Sequence, residues 1–340
     1  QLNKLRLLIP VYNDDRVGRA KYKMGLVLYD GLAGGNQPVD KHEQLSGKNI
    51  VARYPFIKQD GLVGGFTYGD CQEDDARLTF EIIEGAHYAG AVAVNHASAE
   101  HLIFEDGCVV GAAVKDRLTG EQTNVRAQVT VNAAGPWSPE LLDAAAGNAV
   151  RRVKGVHLIM PAMPTRDGYN DAMFVTSRED GRVLFAIPWY GKTLLGTTDS
   201  DYSGRTDDLR VNLQEIDYLI AAANNYFETI RWTRADVQGA FAGLRTLKME
   251  QSKNGTKASR DWSLEQPFPG LLMPLGGKYT TARDDAEKIV NEVVKAGSFT
   301  HAEPCTSDKR PLPWCPLGDF ASWQQQAESR SINAGLDAET

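Results

Sequence analysis

Apolar residues recur at helical spacing through residues 74–89, where Ala76, Leu78, Ile82, Ile83 and Ala86 follow the acidic pair Asp74-Asp75. An amphipathic helix with a favourably charged first turn is predicted there. The same spacing at Ile216, Leu219, Ile220 and Ala223 predicts a helix over 213–227, and the first-turn acids of 284–295 predict another. Short apolar runs at 92–96, 101–104, 108–116 and 123–131 predict strands, and Glu105-Asp106-Gly107 supplies the Asp-Gly signal of a tight hairpin between two of them. Further β-rich runs at 151–160, 172–175, 183–188 and 193–198 are joined by short polar turns, the pattern of an antiparallel sheet. Residues 270–274 predict a short buried strand, and 248–260, centred on Asn254-Gly255, a polar excursion between strands. Two glycine-rich stretches, Gly31-Leu32-Ala33-Gly34-Gly35 and Gly61-Leu62-Val63-Gly64-Gly65, have no buried strand ahead of them and are expected to be loops. Beyond residue 301 the chain is polar and rich in Pro, Ser and Gln, with at most one helix near 322–330.

Composition narrows the classes. With 340 residues and 42% hydrophobic content the chain is long enough for two domains with sizeable cores. Its net charge of -7 and lack of a basic run exclude an electrostatic nucleic-acid binder. Cys71, Cys108, Cys305 and Cys315 lack CxxC spacing, which argues against zinc and against a disulfide scaffold and suits a reducing cytoplasm. No stretch reaches the ~18 apolar residues of a membrane span, and the first residues do not have the profile of a signal peptide.

Candidate chemistry concentrates at Leu275-Gly276-Gly277-Lys278-Tyr279-Thr280-Thr281-Ala282-Arg283, where an apolar strand meets a helix. Glycines let a ligand approach the main chain, and the helix N-terminus favours negative charge. The plain alternative is a turn and nothing more. His157 has the side chain best suited to proton transfer near neutrality, with a hydrogen-bonded core histidine as the alternative. Arg245, after an Ala-Gly step, offers a planar fork of donors for a phosphate or, alternatively, for a structural salt bridge. Thr197, Thr198 and Asp199 are expected to fix a strand end, and His42, His87, His96, His101 and His301 to be surface or structural.

Five segments occur in a telling order: Asn132-Ala133-Ala134-Gly135-Pro136-Trp137-Ser138-Pro139, Lys154-Gly155-Val156-His157-Leu158-Ile159, Leu194-Leu195-Gly196-Thr197-Thr198-Asp199-Ser200-Asp201-Tyr202, Ala242-Gly243-Leu244-Arg245-Thr246-Leu247 and the Gly276-Gly277 junction. With Asp70-Cys71-Gln72-Glu73-Asp74-Asp75-Ala76-Arg77-Leu78 they resemble the FAD-dependent glycerol-3-phosphate dehydrogenases from about residue 8 to about residue 294.

The resemblance implies an α/β (α+β) fold: a partial FAD-binding Rossmann-like domain plus an antiparallel-sheet substrate domain of the glutathione-reductase/D-amino-acid-oxidase type. Residues 1–150 would be the remnant of the FAD domain, 151–270 the substrate domain, 271–300 a flavin-facing return and 301–340 a polar tail. The family's opening Gly-x-Gly-x-x-Gly element and its C-terminal helical domain have no counterpart here, so an internal fragment or a short homologue is expected, one that binds FAD weakly or not at all although its parent protein is the dehydrogenase. Implied further are oxidation of glycerol 3-phosphate to dihydroxyacetone phosphate, quinone as acceptor, peripheral membrane contact and a homodimer. In that scheme His157 is the base, Arg245 holds phosphate, Lys278 faces flavin or phosphate, and Gly135, Pro136, Gly276, Gly277, Tyr279 and Thr280 line the cofactor. The competing readings are a flavin-free scaffold and an oxygen-using oxidase of the same superfamily.

Overall fold

The computed structural model describes residues 2–34, 39–142, 150–164, 170–252, 255–259, 262–316 and 318–335. In chain order, β1 (Leu2–Tyr12), α1 (Arg19–Ala33), β2 (Glu43–Leu45), α2 (Gly47–Arg53), β3 (Leu62–Glu73) and α3 (Asp75–Tyr88) come first. A hairpin and its flank follow as β4 (Ala97–Glu105), β5 (Cys108–Asp116), β6 (Gln122–Arg126) and β7 (Thr130–Val131). The middle of the chain supplies β8 (Val150–Pro161), β9 (Ala172–Thr176), β10 (Val183–Trp189), β11 (Lys192–Gly196), β12 (Ser200–Asp201), α4 (Leu213–Asn224), β13 (Gly239–Ser252) and β14 (Gly255–Ser259). The last elements are β15 (Ser263–Phe268), β16 (Leu271–Leu275), α5 (Ala282–Ala296) and α6 (Phe320–Asn333).

A ten-stranded sheet in the order β14-β13-β8-β11-β10-β9-β1-β3-β2, with β12 on β8, dominates the molecule. Among the described residues its β1–β9 pair alone is parallel. This strand grouping joins residues 2–73 to residues 150–259, across the boundary expected at residue 150. Two three-stranded sheets, β15-β16-β7 and β4-β5-β6, stand beside it.

Strand periodicity decides which side each residue of β8 serves. Lys154, Val156, Leu158 and Met160 point to one face and are buried with Leu219, Ile220 and Ala223 of α4 or beside them. Gly155, His157 and Ile159 therefore face the other way, and that is the face on which the candidate site is built. The helix α4 is started by a reciprocal cap: Asn212 Oδ1 accepts from Glu215 N at 2.9 Å while Glu215 Oε2 accepts from Asn212 N at 3.0 Å. Glu215 also takes Lys154 Nζ at 2.8 Å, both side chains being about nine-tenths buried.

Several expectations change. Residues 92–96 form no strand: His96 turns the chain at φ 54° and its carbonyl accepts from Arg117 N at 2.8 Å, and β4 begins only at Ala97. The run 123–131 splits: β6 lies antiparallel to β5, whereas β7 runs parallel to β16. Gly31 to Ala33 belong to α1, and Gly61 to Gly65 lead into or lie within β3. Gly35 lies outside the described residues, and the described part of neither stretch is a simple loop. The glycine at 65 is a packing requirement, since a Cβ there would sit 2.2 Å from the Ile9 carbonyl oxygen of the neighbouring strand. The polar excursion at 248–260 is, in its described residues, a continuation of β13 and its partner β14, with Lys253, Asn254 and Arg260 outside the described residues. The helix expected near 322–330 extends over the whole of α6.

Candidate active site

The antiparallel register of β8 and β13 sets Phe241 opposite His157, Gly243 opposite Gly155 and Arg245 opposite Val153. Arg245 reaches across Gly155, where a Cβ would stand 3.0 Å from both terminal guanidinium nitrogens and 2.7 Å from Thr197 Oγ1. Any larger residue at 155 would displace the guanidinium, so glycine there is a condition for Arg245's position. Arg245 Nη2 donates to Thr197 Oγ1 at 3.3 Å, and Nη1 stands 3.6 Å from Asp199 Oδ1. Thr198 closes the turn from below, its Oγ1 accepting from Val156 N at 3.0 Å. Thr197, Thr198 and Asp199 thus do more than end a strand: two of the three touch Arg245.

The His157 ring is held on two sides. One face carries Phe241, stacked at 5.2 Å and 13°, and its edge lies so near Gly196 that a Cβ there would be 2.3 Å from Cδ2. Burial pushes the His157 pKa below its ordinary 6.5, and the positive charge of Arg245 pushes it the same way; the Asp75 carboxylate opposes both. At neutral pH the imidazole is therefore neutral and able to accept a proton.

Asp75 stands in the first turn of α3. That turn is tied to the hairpin between β10 and β11, where Tyr190 donates to Asp74 Oδ2 at 2.8 Å and Arg77 lies over the Tyr190 ring. It is tied on another side to the glycine junction, where Tyr279 Oη lies 3.2 Å from Thr79 Oγ1 and donates to the Asp75 carbonyl at 3.4 Å.

Two loops leave the carboxyl ends of parallel neighbours. After β7 the chain enters a short 3-10 helix at Gly135, with φ 55°, followed by Pro136. After β16 it passes Gly276 and Gly277, with φ 70° and 98°, into a 3-10 turn over Tyr279–Thr281 that runs into α5. In open parallel sheets this is the edge at which ligands bind. A Cβ at Gly135 or at Gly243 would meet nothing within 4 Å, so both open on space, and an extended cofactor could pass the backbone there. Lys278, Tyr279 and Thr280 are exposed on the second loop. His157 and Arg245 are brought onto one face; Lys278 enters through the loop that Tyr279 anchors to α3, with no bond to either among the described contacts.

Sequence reasoning did not single out Phe241, Gly155 or Asp75 as parts of this site. An aromatic opposite a histidine is visible only once the strand register is known.

The family model for FAD dependent oxidoreductases matches residues 7–282 of the chain. Aerobic glycerol-3-phosphate dehydrogenase of Staphylococcus aureus (strain USA300) is 35% identical over 293 residues, 85% of this chain and 52% of that protein. The chain spans about half the length of the curated relatives it matches. Among solved structures, glycerol-3-phosphate dehydrogenase from Bacillus halodurans complexed with FAD superposes with a TM-score of 0.80 at 30% identity, over 99% of this chain and 61% of that one. L-alpha-glycerophosphate oxidase from Mycoplasma pneumoniae with FAD bound shares the fold, with a TM-score of 0.62 at 17% identity over 92% of this chain and 78% of that one.

Proposed function

We propose, from the premise that this chain belongs to the family of FAD dependent oxidoreductases, that it carries the substrate face of an enzyme that oxidises sn-glycerol 3-phosphate to dihydroxyacetone phosphate. The observation that carries this reading is the pairing of a neutral, wedged histidine with an arginine poised over glycine on one side of β8. The names of its relatives supply the substrate class.

Bound FAD would supply the acceptor for the hydride leaving C2, and quinone the onward acceptor in this reading. The remaining tasks fall to side chains. Arg245 presents its guanidinium fork to the phosphate, held in place by Thr197 and given room by Gly155. His157 takes the proton of the C2 hydroxyl, with Phe241 and Gly196 fixing the plane of the ring. A phosphate dianion beside Arg245 would offset the charge that depresses His157, so substrate binding itself would raise the base's proton affinity. Gly135 and Pro136 would line the cofactor's path, and Gly276 to Thr280 would meet either the flavin or the phosphate. At that end Lys278 and the start of α5 favour negative charge.

Arg245→Met tests the phosphate assignment. Loss of a bidentate charged contact is expected to raise the KM for glycerol 3-phosphate by roughly 100-fold, about 3 kcal/mol, while oxidation of unphosphorylated glycerol changes little. An equal effect on both substrates would remove the assignment.

A further inference from the structure

The glycines of the ten-stranded sheet are of two kinds. A Cβ at Gly64, Gly65, Gly69, Gly155, Gly196 or Gly239 would come within 2.2 to 3.2 Å of an atom of another residue, so each is required by the protein's own packing. Gly243 is not. A Cβ there would meet nothing within 4 Å among the described residues, and its φ lies outside the positive range that side chains avoid. Glycine weakens the interior of a strand, having no side chain to pack and more freedom to lose on folding. Position 243 of β13 therefore carries a residue that the folded chain alone does not call for, and such a strand glycine marks a place where a ligand comes close to the main chain. Strand geometry shows what that ligand must span. Phe241, Gly243 and Arg245 are alternate residues of β13 and point to one face, each about 7 Å from the next along the strand. Opposite them on β8 stand His157, Gly155 and Val153. Phe241 stacks on the His157 ring at one end, and at the other Arg245 reaches across Gly155. The space left between the two ends is over Gly243, and since Phe241 and Gly243 are both exposed it opens to solvent.

We infer that Gly243 is a specificity-determining residue: its missing side chain leaves the recess in which the three-carbon chain of the substrate lies against β13, between the base at His157 and the phosphate holder at Arg245. This rests on the reading of those two residues as the ends of the site. With the C2 hydroxyl at His157 and the phosphate at Arg245, the carbon skeleton is the part that crosses Gly243. A methyl group at 243 would then meet the substrate's carbons and nothing of the protein, whereas at 155 it would displace the Arg245 guanidinium. The two facing glycines thus predict different losses, recognition of the carbon chain at 243 and recognition of the phosphate at 155.

The experiment is calorimetric binding of glycerol 3-phosphate and of inorganic phosphate to the full chain and its variants, with the thermal unfolding midpoint of each. Gly243→Ala is expected to weaken glycerol 3-phosphate roughly tenfold, about 1.4 kcal/mol, and to bind inorganic phosphate as wild type does. Its unfolding midpoint should equal or exceed that of wild type, since the change removes freedom from the unfolded chain at a position that accepts a side chain. Gly155→Ala should weaken both ligands alike. If Gly243→Ala binds glycerol 3-phosphate as wild type, as it would were a cofactor to fill the recess, the role of Gly243 is wrong although the phosphate site stands. The same holds if it loses phosphate to the same degree as glycerol 3-phosphate, or unfolds several degrees lower. If Arg245→Met binds phosphate as tightly as wild type, or the wild-type chain binds neither ligand, the phosphate reading fails and takes the role of Gly243 with it.

Discussion

Replacing His157 by Asn is expected to lower kcat for glycerol 3-phosphate by about 10²- to 10⁴-fold, the usual contribution of a positioned general base. The same change should abolish the acid limb of the pH profile. The sign follows from the direction of the pKa shift. His157 is depressed below 6.5 by burial and by Arg245, so it is neutral above that value and kcat/KM should be flat there. As the pH falls through the depressed pKa the ring becomes protonated, cannot accept the hydroxyl proton, and the rate declines. Asparagine keeps a planar group between Phe241 and Gly196 but has no titration in this range. Were His157 only a packing residue, the variant would retain most of its kcat and the acid limb would persist.

The other large effect concerns stability. Lys154→Met is expected to cost about 3–5 kcal/mol, because it strands the buried carboxylate of Glu215. Lys154 is buried on the α4 side of β8, where its ammonium meets Glu215 at 2.8 Å and the Arg210 carbonyl. Glu215 in turn closes the cap of α4. Lys154→Met together with Glu215→Leu should recover all but about 1 kcal/mol, the value of the lost cap. Chemical denaturation of the three proteins decides it: a single variant within 1 kcal/mol of wild type would mean that the pair is not structural. The ion pair thus fastens α4 beneath the very strand whose opposite face carries His157 and Gly155.

The tetrad Lys154-Gly155-Val156-His157 shows what was legible in the sequence and what was not. Its resemblance to a known family pointed to β8 as a functional strand, and the alternation of a β-strand was implicit in the letters. Which of the four serve the core and which the site depends on where α4 packs, a fact that no local pattern contains. Arg245 and His157 were named from residue type and context, and the register of β8 with β13 explains how 88 positions of chain separation become one face. Asp75, by contrast, looked only like a helix starter. The first turn of α3, where it stands, is held by Tyr190, which donates to Asp74, and by Tyr279, which donates to the Asp75 carbonyl, contacts between segments far apart in the chain. The opening strands were missed for a related reason. Glycines 64 and 65 read as loop punctuation, yet in the fold they let β3 pass close to β1 and β2.

Membrane contact and quinone use are expectations of the resemblance that the fold meets with one plain fact. Among the described residues no helix is long and apolar enough to cross a membrane. On α1, Met24, Val27, Leu28 and Leu32 lie exposed at helical spacing, beside Arg19, Lys21 and Lys23.

The central claim, a flavin-dependent oxidation of glycerol 3-phosphate on this face, is tested most directly by titrating FAD into the purified chain under anaerobic conditions and then adding glycerol 3-phosphate. The account predicts saturable binding by flavin fluorescence, bleaching of the flavin band on addition of substrate, and return of the band when a soluble quinone is added. Saturable binding without bleaching would contradict the proposed chemistry, and no binding of FAD would contradict the assignment of the cofactor path past Gly135 and Gly276.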